Sequence, residues 1–363
     1  MRGIPEPLTT LKGNNVEGYE EDPQETPANV VAMLTEFSDI IDPKDLPNKL
    51  SQLKWHITGF VDGDGSFPII LSPEETKKFG WLIQPRFELE LRSGEDSETM
   101  LRVVCRAVGI KPKILTSENY VKLIVTNRRL LLEKVVPFFE KYRPVIKWRD
   151  FKMMSEVAKD LHQKKHLTYE GFKEIIRKIY SLPMNGESRR KWRFSDIIQD
   201  EEPPQHVEKK EEHRFPRGLV PLKHYVAGFI DAEGSLGFII NKETKSITPY
   251  LTITSSETVV LQKIRWLLGC GEISTGRLQI YGVDNFVNSV APFLDRQKLI
   301  AKRTTYKMFK QILETVVRGD HKRNWEETVA FVKMFNKKAG GSSETIRRAS
   351  SSKTGDEDMV QHP

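Results

Sequence analysis

The chain has 363 residues, enough for two domains with a sizeable core each, and carries 57 Lys+Arg against 50 Asp+Glu, a net charge of +7. Its two cysteines, Cys105 and Cys270, exclude a disulfide framework or metal knuckle. No apolar run approaches a membrane span, and the N-terminus lacks both a secretory layout and the Arg-rich composition of a transit peptide.

The charge is unevenly placed. Residues 1–50 hold ten acids against four bases, and residues 341–363 hold four against three, which leaves a net of +14 on residues 51–340. A folded core of that charge favours a polyanion, and nucleic acid is the commonest one. In chain order, residues 1–50 read as an acidic, poorly ordered extension with one short helix near residues 30–37. Residues 51–195 form a first half and residues 196–221, with Pro203, Pro204 and a charge run, a surface linker. Residues 222–340 form a second half, and the Ser-rich, charged tail 341–363 reads as disordered.

The two halves repeat one another. Residues 57–65, Ile-Thr-Gly-Phe-Val-Asp-Gly-Asp-Gly, match residues 226–234, Val-Ala-Gly-Phe-Ile-Asp-Ala-Glu-Gly, 169 positions later. Each block reads as an apolar helix ending in an acid-bearing turn that leads into a strand. Alternating strands follow at Phe87–Arg92 and residues 250–255, then amphipathic helices at residues 99–108 and Thr258–Leu268, stopped by Gly109 and Gly269. Ile114–Thr116 and Tyr120–Val125 match Glu272–Ser274 and Arg277–Tyr281, and Lys147 matches Lys302 without a gap to Met153 and Met308. The order helix-strand-strand-helix-strand-strand-helix, twice, predicts an α+β chain of two pseudo-twofold-related αββαββα halves. Pro68, where the second copy has Gly237, removes a backbone donor and predicts an edge or bulged start to the first strand. Outside the repeat, a helix runs to Tyr180 with Thr168 as its N-cap. Residues 188–193 are a basic patch around Trp192, a phosphate contact or a solvated helix exit.

Gly59 and Gly63, like Gly228 and Ala232, lie four apart on one helix face, so two backbones can approach closely there. If these helices pair about the axis, Leu in place of Gly59 or Gly228 breaks the contact and Ala is far milder. Their C-terminal ends then bring Asp64 and Glu233 together, where helix dipoles are negative and like charges repel. A hard divalent cation resolves this, with the Gly63 and Ala232 carbonyls as further ligands, and such a site suits phosphodiester hydrolysis. The plainer reading, that both acids cap turns, is weakened because they share a column of the repeat. Asp62 and Asp231 read as local acceptors that fix the turn. Lys147 and Lys302 are catalytic candidates that orient water or offset charge, or else phosphate-contacting lysines. Arg86, Glu88, Glu90, Arg92, Thr252, Thr254, Arg277, Gln279 and Tyr281 are candidates for reading base edges from the strand faces.

The two blocks resemble the signature motifs of LAGLIDADG homing endonucleases of the single-chain, double-motif type, over roughly residues 50–340. The resemblance implies saddle-shaped antiparallel sheets lying on double-stranded DNA and double-strand cleavage at a long site. The eighth motif position, the family's catalytic acid, falls on Asp64 and Glu233. Mg2+ is the implied cofactor, with Mn2+ as a substitute and Ca2+ expected to bind without supporting cleavage. The resemblance further implies a monomer, encoded in an organelle intron, with the mitochondrion expected before the chloroplast. An RNA-binding splicing cofactor acting on its own intron RNA is the alternative on the same fold.

Overall fold

The computed structural model describes residues 36–181, 191–204 and 213–339. Expectations for residues 1–35, the first half of the basic patch, the centre of the linker and residues 340–363 lie outside the described residues.

The first half runs α1 (Leu50–Asp64), β1 (Gly65–Ser66), β2 (Ile69–Pro73), β3 (Trp81–Pro85), β4 (Phe87–Arg92), α2 (Glu95–Val108), β5 (Ile114–Thr116) and β6 (Tyr120–Val125). It continues with α3 (Val136–Lys141), α4 (Trp148–His162), α5 (Tyr169–Tyr180) and the short α6 (Phe194–Ile197). The second half runs α7 (Leu219–Glu233), β7 (Gly234–Asn241), β8 (Ser246–Thr254), α8 (Thr258–Leu268), β9 (Glu272–Ser274), β10 (Arg277–Tyr281), α9 (Ala291–Gln297), α10 (Arg303–Val317) and α11 (Trp325–Lys338). Each half builds an antiparallel four-stranded sheet of the same order, β1-β4-β6-β5 and β7-β8-β10-β9. The α+β, twice-repeated fold is as the sequence implied.

Strand alternation sorts the side chains. Phe87, Leu89 and Leu91 of β4 turn inward against the helices, and so do Leu251 and Ile253 of β8. The opposite parity leaves Glu90, Arg92 and Thr254 exposed and Glu88 and Thr252 half-buried. A charged or hydroxylic sheet face therefore stays free in each half, because burying those side chains unpaired is prohibitive.

Both halves carry a π-helical turn at the same place, Leu131–Val135 and Phe286–Val290, each just ahead of a helical proline, Pro137 and Pro292. A proline ring clashes with the carbonyl four residues back, and the wider turn gives it room.

Several boundaries differ from the sequence reading. Phe37, Ile41 and Leu46 are buried in the first core, so the folded unit begins inside the acidic extension. Residue 36 onward is a turn rather than the end of a helix. The helix α2 starts at Glu95, four residues early, because three acids in its first turn suit the positive helix end. Pro68 does break the strand: β1 stops at Ser66, and β2 pairs only with β3 as a separate two-stranded ribbon. In the second half, where Gly237 stands, β7 continues unbroken along β8. Gly237 is required there because a Cβ would lie 2.3 Å from the Tyr250 ring. The predicted N-cap holds, with Thr168 Oγ1 accepting from the Gly171 amide at 3.2 Å. The ribbon, α4, α5 and α6 share a third core of their own, reaching Ile197 and Ile198.

The halves meet along α1 and α7. At Gly59 a Cβ would stand 1.9 Å from the Tyr225 carbonyl oxygen, and at Gly228 it would stand 1.8 Å from that of His56. At Gly63 it would meet the Ala232 Cβ at 2.3 Å. The backbones touch where the sequence placed small residues.

Candidate active site between the motif helices

Because α1 and α7 pair face to face, their C-terminal ends arrive together. The side chain of Glu233 lies against Gly63, with Cγ 3.1 Å and Oε1 3.6 Å from where a Cβ would be built. Asp64 is exposed and Glu233 half-buried. The packed protein beneath Asp64 pushes its carboxyl above the ordinary value, against the pull of Lys302 and Lys147. Glu233 is raised by burial and then by the negative charge of Asp64, with the same two lysines opposing. Two carboxyls that both prefer a proton form a site short of positive charge.

The lysines are held in place by the helix ends themselves. Lys147 is the N-cap residue of α4, and its Nζ donates to the Val61 carbonyl at 3.1 Å and to that of Gly63. Lys302, the N-cap residue of α10, donates to the Asp231 and Ala232 carbonyls. The Gly63, Asp231 and Ala232 carbonyls are among the last four of their helices, which lack a helical partner, and the Val61 carbonyl also accepts from the Gly65 amide. Burial lowers both ammonium groups, and the nearby carboxylates restore them in part: Asp62, Asp64 and Glu233 for Lys147, and Asp231, Asp64 and Glu233 for Lys302. So all four expected groups, Asp64, Glu233, Lys147 and Lys302, share one electrostatic neighbourhood.

Asp62 and Asp231 do more than fix a local turn, and here the sequence reading needs correction. Asp62 accepts from the Lys147 amide at 2.9 Å, the Ile146 amide at 3.2 Å and the Val145 amide. Asp231 accepts from the Ile300, Ala301 and Lys302 amides at 2.7, 2.9 and 2.8 Å. Each aspartate thus anchors the distant loop that delivers its half's lysine. Each also takes a donor from the other half: the Tyr225 hydroxyl reaches Asp62 at 2.8 Å, and His56 Nε2 lies 3.1 Å from Asp231. His56 and Tyr225 were missed. They share a column of the repeat, 169 apart, and polarity on an otherwise apolar face was the available signal. The two aspartates are split by their donors: burial is the largest influence on both and raises Asp62, whereas at Asp231 the bond and charge of His56, with Lys302 and the Ile300 amide, together outweigh burial and lower it. Tyr225→Phe should therefore cost about 1–3 kcal/mol, the penalty of leaving a buried acceptor short. An unchanged melting temperature would show that this cross-half bond carries no stability.

The sign of the pH dependence follows from the raised acids. A carboxyl whose folded pKa is raised stabilises while protonated, and that contribution is lost as pH rises through the folded value. From about pH 4 upward the Asp64–Glu233 pair becomes a growing cost in metal-free protein. We expect the melting temperature of Asp64→Asn minus that of the native chain to grow with pH over that range. A difference that stays flat or falls would contradict the raised values.

Among the described residues no cluster of three or more His, Cys, Asp or Glu is poised for a metal. A cation here would have the two carboxylates of Asp64 and Glu233 and the remaining lone pairs of the Gly63 and Ala232 carbonyls. That donor set is all oxygen and leaves open positions, which suits a hard divalent ion that also takes waters and phosphate oxygens.

The strand candidates divide by half. Register places Thr252 opposite Ser235 and Gln279, and Arg277 opposite Thr254, in one outward patch, with Tyr281 beside Tyr250 at its end. In the first half Arg86, Glu88, Glu90 and Arg92 share the outward parity, and Lys122 of β6, not foreseen, joins them through Glu90 at 3.0 Å and Glu88 at 3.5 Å. Arg86 bonds Glu88 at 3.0 Å and Gln84 Oε1 at 2.8 Å.

Comparison with known proteins agrees with this architecture. The family model described as LAGLIDADG endonuclease matches residues 57–176. "Probable intron-encoded endonuclease 2" of Neurospora crassa is 26% identical over 281 residues, 73% of this chain and 60% of that protein. "Homing endonuclease I-ApeII" of Aeropyrum pernix is 32% identical over 114 residues, 28% of this chain and 68% of that protein. This chain belongs to the LAGLIDADG endonuclease family. Its fold is shared by the solved LAGLIDADG structure "I-SmaMI bound to uncleaved DNA target in the presence of Calcium ions". The TM-score is 0.67 at 20% identity, over 78% of this chain and 98% of that one. The LAGLIDADG blocks themselves are α1 and α7 with their terminal acids.

Proposed function

We propose that this chain is a site-specific double-strand DNA endonuclease that hydrolyses one phosphodiester on each strand within a long recognition site. The observation that carries the reading is the pairing of Asp64 and Glu233 across a pseudo-twofold axis, each backed by a lysine. Duplex DNA has its own dyad, so a monomer with two related halves presents one acid to each strand. The fold likeness, the family and the DNA-bound relative support the same partner. The intact acids and lysines in both copies favour cleavage over a purely RNA-binding role. The relatives' intron-encoded names support an organelle intron as the gene's location, with the mitochondrion first.

In this reading Asp64 and Glu233 hold a divalent cation, Mg2+ in the working enzyme. The bound cation would supply Lewis-acid stabilisation of charge on the scissile phosphate and lower the pKa of a water. The chain's own groups do the rest. Lys147 and Lys302, pinned by helix-end carbonyls, set a fixed positive potential toward the phosphate without reorganising during the reaction. As ammonium groups they also carry a further donor that can orient an attacking water. The two sheet faces position the duplex: Arg86, Arg92, Arg277 and Gln279 carry donors that match guanine or adenine edges, and Thr252, Thr254, Tyr281, Glu88 and Glu90 complete the pattern.

The test is a randomised duplex library incubated with the full chain, first in Ca2+ and then in Mg2+ or Mn2+. Selective retention in Ca2+ and defined double-strand ends in Mg2+ are expected. Retention without cutting in either transition would refute the nuclease reading and favour a binding role.

A further inference from the structure

The two lysine loops cross between the halves. Val145 belongs to the first half but is buried in the second core, and Ile300 belongs to the second half but is buried in the first. Each loop is then fastened to the half it enters by an acid at the start of α2 or α8. For the loop of Lys302 that acid is Asp96, in the first turn of α2. It accepts from the Thr304 amide at 2.6 Å and hydroxyl at 3.1 Å and pairs with Arg303 at 3.2 Å. An amide, a hydroxyl and a guanidinium keep these protons across the neutral range.

The loop of Lys147 is fastened through an intermediary from the linker. His213 Nδ1 lies 3.2 Å from the Val145 carbonyl oxygen, and its Nε2 lies 3.1 Å from a carboxylate oxygen of Glu257, the N-cap residue of α8. A carbonyl and an ionised carboxylate can only accept. Both ring nitrogens must therefore donate, and neutral imidazole has one N–H where imidazolium has two. On the elements around the ring, the Arg143 guanidinium lies over the Trp148 ring at 4.1 Å and Lys263 Nζ over the Phe215 ring at 5.3 Å. Lys147 Nζ is turned to the α1 carbonyls and Arg214 is exposed, so Glu257 is the charge paired with His213.

Resting on the endonuclease reading, we propose that His213 is a positioning residue for Lys147, a strap that holds the first lysine loop fully only while its ring carries both protons. Asp96 holds the second lysine loop with no titrating donor. The two strand-cutting centres therefore answer differently to pH. As the imidazole gives up its second proton, a change histidine makes within the physiological range, one strand slows relative to the other and nicked duplex accumulates.

The experiment uses the full chain and the enriched duplex, labelled on one strand or the other, in Mg2+ from about pH 5 to about pH 8.5, a range that spans imidazole titration. The ratio of the two nicking rates cancels any pH dependence common to both centres. For the native chain we expect that ratio to change about tenfold across the range, the scale of one hydrogen bond to a charged group. His213→Ala should fix the ratio near its high-pH value at every pH. Glu257→Gln, which keeps an acceptor but removes the charge that favours imidazolium, should move the change to lower pH. Asp96→Ala should slow the opposite strand, and by the same factor at every pH. Melting curves establish that each variant is folded, and Glu257→Gln carries the test if His213→Ala is not. A native ratio that is flat with pH, or one that neither linker-side variant alters, would overturn the strap while leaving the endonuclease reading standing. No cutting of either strand by the native chain would overturn that reading, and this inference with it.

Discussion

Gly59→Leu and Gly228→Leu will each lower the melting temperature sharply and remove cleavage together, and Gly59→Ala and Gly228→Ala will come close to them. The sequence reading expected alanine to be far milder than leucine, and the structure overturns this. A single Cβ at Gly59 would stand 1.9 Å from the Tyr225 carbonyl oxygen, and at Gly228 it would stand 1.8 Å from that of His56. Both obstacles are backbone atoms of a buried helix, so no rotamer change relieves them. Overpacking a close-packed site costs about 1–3 kcal/mol or more, and here the relief is a shift of one motif helix from the other. Such a shift also moves Asp64 from Glu233, stretches the Tyr225–Asp62 and His56–Asp231 bonds, and misplaces both lysine loops. Gly94→Ala is the control, since its nearest neighbour would be a side-chain oxygen at 3.8 Å. Calorimetric melting of the five variants checks the claim. Native-like stability in Gly59→Ala or Gly228→Ala would mean that the motif helices do not pack backbone to backbone.

The order of elements and the paired helix ends were legible because a repeat compares the chain with itself. A column that holds Gly59 and Gly228, or Asp64 and Glu233, is a constraint that one copy alone would not reveal. What the repeat lacks was read poorly. The helix Phe194–Ile197 has no counterpart in the second half, and Trp325–Lys338 was not read although it follows Arg303–Val317 as Tyr169–Tyr180 follows Trp148–His162; their apolar residues face the third core and the second. The burial of Phe37, Ile41 and Leu46 was hidden by the acids around them, which pair outward, as Asp39 does with Arg106 at 2.9 Å and Asp45 with Lys307 at 3.1 Å. The role of Asp62 and Asp231 was missed for another reason. Their partners at residues 145–147 and 300–302 are backbone amides, which leave no trace in side-chain identity.

The site itself rests on the two acids acting as a pair. Asp64→Asn and Glu233→Gln keep the shape of each side chain and remove its charge. Affinity for duplex DNA comes mostly from phosphate contacts made by basic groups over the whole face, so neither change should weaken binding in Ca2+-free buffer at moderate salt by more than a few fold. Asp64→Asn removes a raised acid together with its repulsion on Glu233, so its metal-free stability should rise rather than fall. Cleavage of both strands needs both ends of the axis, so each single change should reduce double-strand cutting by about a hundred- to a thousandfold, the scale on which loss of one principal charge-stabilising group acts.

The most direct measurement is therefore the rate at which a duplex selected from the library is cut on both strands in Mg2+ by the native chain, Asp64→Asn and Glu233→Gln, with binding of the same duplex followed in parallel. The account predicts near-native binding and no detectable double-strand product from either variant. Double-strand cutting at the native rate by either one would contradict it.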